Sequence, residues 1–510
     1  MMSRVTGREG RRRFAALVAI MALATAGVLA AQPTAQGGPA PTAPAAVEQQ
    51  GKARPNVVLI LTDDMTMSDL KWMPRTRKLL GRKGVTFPNM LSPHPLCCPA
   101  RAAILTGQYA QNNNVKANQG KYAFPALDSQ HTLPVWLNRA GYKTGFTGKY
   151  LNGFGTRGRG QPGWSWFDPS IGGQYAYEGF KMYRDGNPVY YPAINNVDYV
   201  NNEAVRLIDE WAPSPQPFFV FASHVAPHGR VDPLTNRATA VAYPPERYRQ
   251  MFRHTKSPSL SNKAFNENVS DKSRWLRRKH GNKLDVSHVN TVFRSRIQAL
   301  QGVDQGVARI VQELQSVGEL DNTLIMFTSD NGFLLGEHRL MTKNVPYKQS
   351  LSVPLLMRGP GIPRGVTRTG FALMIDLAPT IAAVAGARPD LKVDGTSLMP
   401  TIRKRKPLRS TVLIQAGPQE KIDRKYGWWW RGVTTGRYTY AFYYAERFEE
   451  LYDHRYDPAE TTNLARHPFY RRTVNELRKR AAALRTCAGT SSCSRHYGGV
   501  PGPILPPPGV

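Results

Sequence analysis

The amino-acid sequence predicts an α/β fold: a large mixed, mostly parallel sheet flanked by helices, with a smaller C-terminal α+β domain built on an antiparallel sheet. Three observations carry this. Asn56–Thr62, residues 217–222 and Thr323–Ser329 are continuous apolar runs of strand length, the pattern of strands buried on both faces. Residues 290–317 place Val303, Val307, Ile310 and Leu314 at helical spacing, a stripe for core packing. Beyond Pro407, residues 411–415, 432–440 and 450–452 alternate as antiparallel strands do. A chain of 510 residues that is 41% hydrophobic can bury such a core and more than one domain.

The chain opens with a basic stretch, 1–13, followed by an Ala-rich apolar stretch, 14–31, ending in small residues. This pattern marks an export signal rather than a membrane span. Arg11-Arg12-Arg13-Phe14 looks like a twin-arginine signal. Residues 32–54, rich in Pro, Ala and Gln, read as a disordered leader. No second long apolar segment follows, so the expected product is exported (secreted, periplasmic or in the cell envelope) without stable membrane insertion. The net charge of +32 attracts polyanions. Basic residues cluster at 274–283, 403–406 and 471–480, but no nucleic-acid-binding motif accompanies them and no nucleic acid is expected as a partner.

The chemistry begins after the first apolar run, at Asp63-Asp64. Ligands of parallel sheets gather beyond the carboxyl ends of the strands. Paired carboxylates repel there unless a cation holds them, and oxygen donors suit Ca²⁺ or Mg²⁺. Taken alone, such a pair would more often be a turn or a helix cap. Thr323–Ser329 repeats the arrangement with Asp330-Asn331-Gly332: two more oxygen donors and a glycine that permits a sharp exit. Cys97-Cys98-Pro99-Ala100-Arg101 reads as a thiol at the mouth of a helix. Pro99 fits the first turn, 100–105 are good helix formers and Thr106-Gly107 ends the run. Cys97 then sits where N–H groups point outward, and Arg101 adds a bidentate donor suited to a tetrahedral oxyanion. A buried cysteine pair beside a helix cap is the alternative. Adjacent Cys97 and Cys98 would form a strained disulfide and are expected to stay free, whereas Cys487 and Cys493 bracket a short loop that an exported protein could close.

The pattern Cys97-x-Pro99-x-Arg101-x-x-x-Leu105-Thr106-Gly107 resembles the signature of the type I sulfatases, formylglycine-dependent members of the alkaline-phosphatase-like superfamily. Similarity of motif extends over 54–466. It is nearest to N-acetylglucosamine 6-O-sulfatases, through Cys97-Cys98-Pro99 and Lys149-Tyr150-Leu151-Asn152. The resemblance implies an alkaline-phosphatase-like sheet and oxidation of Cys97 to formylglycine (3-oxoalanine) by a formylglycine-generating enzyme. It implies Asp63, Asp64, Asp330 and Asn331 as ligands of one divalent ion, Ca²⁺ with Mg²⁺ as the alternative, an oxygen of modified Cys97 completing the shell. Lys149 maps to a lysine that contacts the formylglycine hydroxyl and the sulfate, and Lys343 to a second sulfate-binding lysine. His228, in Pro227-His228, maps to the group that assists the departing alcohol, with Arg101 among the cations that neutralise the sulfate. His224 is expected as a structural hydrogen-bonding residue, and His338 as a further candidate contact to sulfate or substrate. Three positions depart from the family pattern: Ala100 stands for the usual Ser, Leu151 for a histidine that many members carry, with Asn152 beside it, and Lys348 follows Tyr347 in place of an acid.

The expected organisation is an export signal (1–31), a leader (32–54), a catalytic domain (55–406) with a basic insertion at 230–285 beside the active-site mouth, a small C-terminal domain (407–486) and a Cys/Pro/Gly-rich tail (487–510). Trp428, Trp429 and Trp430 read equally as a sugar-binding surface or an aromatic core. The implied function is release of inorganic sulfate from a sulfate monoester, either a sulfated carbohydrate or an aryl sulfate. One hydroxyl of hydrated formylglycine would attack sulfur, and the other would expel sulfate. Phosphate or phosphonate ester hydrolysis within the same superfamily, and polyanion binding by a catalytically silent site, are the competing readings.

Overall fold

A computed structural model describes residues 54–155, 160–184, 186–231, 237–405 and 407–504. The expected export signal and all but Arg54 of the expected leader lie outside the described residues. The elements that position the site are, in chain order, the strand β1 (Asn56–Thr62), the helix α1 (Cys97–Thr106), the strand β2 (Lys143–Gly148), the helix α2 (Asn196–Trp211), the strand β3 (Phe218–Ser223), the helix α3 (Val286–Ser316) and the strand β4 (Thr323–Ser329).

These strands form the centre of a ten-stranded sheet. β1 lies between β3 and β4, parallel to both, with Leu59 opposite Phe221 on one side and Met326 on the other. β2 continues the parallel run beside β3, and Trp166–Ile171 beside β2. Antiparallel strands extend both edges, Leu355–Arg358 next to β4 and Phe180–Arg184 next to Trp166–Ile171. The continuous apolar runs follow from burial on both faces. Val57, Leu59 and Leu61 of β1 join the cluster that holds α1 and Leu377–Ala385, while Val58 and Ile60 join the cluster formed with α2 and α3. At the crossing of those two helices a Cβ on Gly306 would lie 1.7 Å from Asn201 Oδ1, so only glycine lets them approach this closely. α1 ends as its sequence requires, at Gly107 with φ 65°.

The C-terminal sheet is an antiparallel meander of Thr411–Ala416, Trp430–Thr435, Tyr438–Tyr443 and Phe448–Asp453, packed against the helix Arg471–Leu484. One expectation is corrected here. Residues 432–440, read as one strand, fold back on themselves at Gly436-Arg437, and Arg437 grips Asp453 with Nε and Nη2 at 2.8 and 2.7 Å. Among its described residues the segment 230–285 carries short 3-10 turns and one helix, Arg274–Lys279, and a bridge from Phe265 to Glu337 ties it to the loop after β4. Cys487 and Cys493 form a disulfide, and Cys97 and Cys98 are free and buried. Among the described residues no helix is long and apolar enough to cross a membrane.

Candidate active site

The carboxyl ends of β1, β2, β3 and β4 deliver their following residues to one place, and the N-terminus of α1 points into it. Asp63 and Asp64 leave β1, with Asp64 at φ 69°. Asp330 and Asn331 leave β4, Lys149 leaves β2, and His228 follows β3. Ligand atoms of Asp63, Asp64, Cys97 and His228 all lie within 4.8 Å of one another. Cys97 Sγ is 3.4 Å from Asp63 Oδ1 and 2.9 Å from Lys343 Nζ. Lys343 also touches the Asp64 carboxylate, and Lys149 the Asp63 carboxylate. Asn331 Nδ2 donates to Asp64 Oδ1 at 2.6 Å, and Asp64 N donates to Asp330 Oδ1 at 3.2 Å.

Arg101 is engaged from within the protein. Its Nε donates to Asp330 Oδ2 at 2.8 Å and Nη1 to Ser223 Oγ at 2.7 Å. Nη1 also meets the Lys149 carbonyl, and Nη2 lies 3.5 Å from Asp63 Oδ2. The sequence suggested a donor aimed at an oxyanion; in this structure the guanidinium holds the carboxylates and two strand ends together. Behind it, Arg296 of α3 donates to the Asp64 carbonyl at 2.6 Å and to Asp69 Oδ2 at 3.0 Å, fixing the turn that carries the paired aspartates.

Electrostatics follow from three carboxylates buried with Lys149, Lys343 and Arg101, and with His228 beside them. Burial opposes ionisation of Asp63, yet Lys149, His228, Lys343 and Arg101 together hold it well below the usual carboxylate range. Asp64 and Asp330 are pushed up, chiefly by burial and then by Asp63 in the case of Asp330, because the cations at hand do not stabilise all three charges. Asn331 Oδ1 is buried without a hydrogen-bond partner. A set of carboxylate and amide oxygens short of positive charge fits a hard divalent cation, and Asp63, Asp64, Asp330 and Asn331 are the residues that could hold one. Burial and Asp63 push the Cys97 thiol up to about 12.

The remaining expected residues have contacts of their own. His338 is buried, its Nδ1 2.5 Å from Glu267 Oε1 and its ring stacked on Tyr347 with centroids 4.0 Å apart. His224, expected to hydrogen-bond, has neither ring nitrogen partnered; burial pushes it down to about 3, so the ring is neutral at ordinary pH. Trp428, Trp429 and Trp430 are all buried, Trp430 donating to the Asn344 carbonyl at 3.0 Å. Contributors without a sequence signal include Ser223, the last residue of β3, Arg296 of α3, and Tyr175, from an irregular glycine-rich stretch. Next to the site a cavity of about 640 Å³ runs between the loop after α1 and the C-terminal part, lined by Leu96, Asn118, Lys121, Tyr122, Gln419 and Arg424 among others. Asn118 Oδ1 accepts from the Cys98 N–H at 2.9 Å, which joins the cavity wall to the helix mouth.

Comparison with known proteins agrees with this geometry. The family model described as Sulfatase matches residues 55–387. The chain belongs to the sulfatase family. A second family model, N-sulphoglucosamine sulphohydrolase C-terminal, matches 336–487 of the same sulfatase chain. Human N-acetylglucosamine-6-sulfatase is 34% identical over 392 residues, covering 72% of this chain and 68% of that protein. A Sulf-1 homolog of Caenorhabditis elegans is 32% identical over 397 residues, covering 72% of this chain; the match spans only about half of the relative, 53%. Among solved structures, that of BT4656 in complex with its substrate D-glucosamine-2-N,6-O-disulfate superposes with a TM-score of 0.70 at 21% identity, covering 84% of this chain and 97% of that one. The phosphonate monoester hydrolase of Agrobacterium radiobacter superposes with a TM-score of 0.69 at 22% identity, covering 89% and 100%. At these identities both establish the shared fold alone.

Proposed function

We propose that this sulfatase is an exported sulfuric ester hydrolase that releases inorganic sulfate from a sulfated carbohydrate. The observation that carries the reading is the meeting of Cys97, at the mouth of α1, with four oxygen donors and two lysines on one set of strand ends. Cys97 is assigned as the precursor of formylglycine, produced by a formylglycine-generating enzyme, and Asp63, Asp64, Asp330 and Asn331 as ligands of Ca²⁺. The formylglycine hydrate would supply the attacking oxygen, and the cation would supply positive charge beside it.

The remaining work falls to this chain's own side chains. Lys149 and Lys343 would bring ammonium groups to the sulfuryl oxygens, and charge of that kind, fixed in a buried site, favours the negative charge as it shifts among those oxygens in the transition state. His228 Nδ1 lies 2.5 Å from the Gly229 carbonyl, an acceptor only, so Nδ1 carries the hydrogen of the neutral ring that burial favours; Nε2, 3.5 Å from Asp64 Oδ2, faces the cluster and serves as the acid toward the leaving oxygen once it has itself taken up a proton. Arg101 positions rather than binds. In the neighbouring cavity, Lys121 and Arg424 suit an anionic sugar better than a neutral one. The basic and apolar N-terminal segment supports export.

Peptide mass spectrometry of the protein from its native host tests the nucleophile: the expected mass has an aldehyde in place of the Cys97 thiol. Turnover on matched aryl sulfate, phosphate and phosphonate esters then tests the reaction. Preference for the phosphonate would overturn sulfate as the natural group, and an intact thiol with salt-sensitive polyanion binding would overturn catalysis altogether.

A further inference from the structure

One aromatic ring in the site has no role in the reading above. Tyr175 stands between the strands Trp166–Ile171 and Phe180–Arg184, half-buried. Its ring stacks on the imidazole of His228, with centroids 4.3 Å apart and planes inclined by 21°. The Lys149 ammonium lies 4.3 Å from the same centroid. Asn152 Nδ2 donates to the Tyr175 hydroxyl at 2.6 Å. Asn152 is itself anchored: its carbonyl accepts from Phe124 N at 3.1 Å and from Cys98 Sγ at 3.5 Å.

A histidine hydrogen-bonded at Nδ1, with Nε2 no nearer than 3.5 Å to Asp64 Oδ2, can still rock about the Nδ1 bond. A nearly parallel ring at stacking distance opposes the rocking, and the same ring attracts the ammonium to its face. His228 is held at a third point, where the Tyr177 hydroxyl donates to its carbonyl at 2.7 Å. The aim of Nε2 is thereby set by Gly229 at one nitrogen, by Tyr175 across the ring and by Tyr177 at the main chain. Asn152 follows directly on the position where the resemblance leads one to expect a histidine, taken here by Leu151, which is buried in the hydrophobic core.

We propose that Tyr175, presented by Asn152, is a positioning residue of this sulfatase, setting the plane of His228 and the seat of Lys149 for departure of the alcohol. The inference rests on the sulfatase reading. In the step it serves, the bond from sulfur to the leaving oxygen breaks and its electron pair stays on that oxygen. The attacking oxygen forms its bond to sulfur and releases its own proton to solvent, while His228, entering the step with hydrogens on both ring nitrogens, passes the Nε2 proton to the leaving oxygen and is left neutral with its hydrogen on Nδ1; the sulfuryl group remains on the attacking oxygen.

The leaving group provides a test that a merely structural role would not satisfy. 4-Nitrophenolate departs without a proton, whereas a sugar alkoxide needs one. Tyr175→Leu is expected to lower kcat for N-acetylglucosamine 6-sulfate by about a hundred-fold, the scale of general-acid assistance, and for 4-nitrophenyl sulfate only a few-fold. Tyr175→Phe keeps the ring and should restore most of the loss on the sugar sulfate. Asn152→Ala, which frees the hydroxyl without removing the ring, should show the same selectivity in weaker form and stands in if the leucine variant does not fold. Aldehyde content at Cys97 and the melting temperature are measured on every sample. Equal losses on both esters, or a phenylalanine variant as impaired as the leucine one, would overturn the proposal alone. A wild-type protein with modified Cys97 that turns over neither ester would overturn the sulfatase reading and this proposal with it.

Discussion

Lys343 Nζ lies 2.9 Å from Cys97 Sγ while also touching the Asp64 carboxylate, so one ammonium bridges the nucleophile position and the acidic cluster. Its charge is held in place by burial among anions, which keep it protonated well above the usual lysine range despite desolvation. Lys343→Met removes the charge and preserves most of the volume. The expected result is a fall in kcat/KM of about a hundred- to a thousand-fold, the effect of deleting one preorganised donor. Steady-state kinetics, normalised to the fraction of Cys97 in the aldehyde form, check it. A loss under ten-fold would show that Lys343 only balances charge at rest.

Arg101 makes a different prediction, because its donors go to Asp330, Ser223, Asp63 and the Lys149 carbonyl rather than to open space. Arg101→Gln leaves Asp330 and Asp63 buried with less compensation, and unfolding free energy should fall by about 3 kcal/mol, as when one partner of a buried pair is removed. Denaturant melts are the right readout, since activity would depend on modification of Cys97 as well as on Arg101. Unchanged melts with a raised KM would return Arg101 to the role of a direct sulfate donor.

The strands of the sheet centre were legible because burial on both faces forces an unbroken apolar run, as in Asn56–Thr62 and Thr323–Ser329. The acids after them were legible because a strand end is a fixed address. What the sequence did not disclose depends on distance along the chain. Tyr175 reaches His228 and Lys149 from a glycine-rich stretch with no periodicity, and Ser223 reads simply as the last residue of a strand. The direction of the Arg101 fork is a rotamer choice that a motif leaves open. The hairpin at Gly436-Arg437 was hidden because its two-residue turn interrupts the run of strand-forming residues so briefly that both arms read as one strand. Pairing of His338 with Glu267 depends on how the segment 230–285 folds over the loop after β4, which is tertiary information.

The acidic cluster predicts a thermal response to cations. Asp64 and Asp330, pushed up by burial, and the unpartnered Asn331 Oδ1 should gain from Ca²⁺, which would stabilise the fold by about 2.7 kcal/mol at a hundred times its dissociation constant. The melting temperature should rise on adding Ca²⁺ and return on adding a chelator. Binding must displace protons from carboxyls whose affinity for them is raised, so apparent affinity should fall as pH is lowered. Asn331→Ala, which deletes one oxygen donor without altering net charge, should weaken the response. An identical Ca²⁺ response in that variant would remove Asn331 from the ligand set.

Glu450 offers a pH test remote from the catalytic cluster. It is fully buried in the strand Phe448–Asp453, accepts from Ser273 N at 3.0 Å and from the Tyr452 hydroxyl at 3.1 Å, and is pushed up to about 7 by burial against an ordinary value of 4.5, despite the nearby Lys272. A carboxyl whose affinity for a proton is greater in the folded chain stabilises the fold fully below pH 4.5, where both states are protonated on it. That contribution is lost as pH rises toward 7, because the unfolded chain ionises first, and it stays lost above. The size over this window is about 3 kcal/mol. Glu450→Gln retains an acceptor and cannot ionise, so its stability relative to the wild type should grow between pH 4.5 and 7 and then level off. Paired denaturant melts across pH 4 to 8 measure the difference directly, with all other titrating groups common to both proteins. Parallel curves would mean that Glu450 ionises normally and that Lys272, which also contacts Asp271 at 3.1 Å, compensates its charge within the fold.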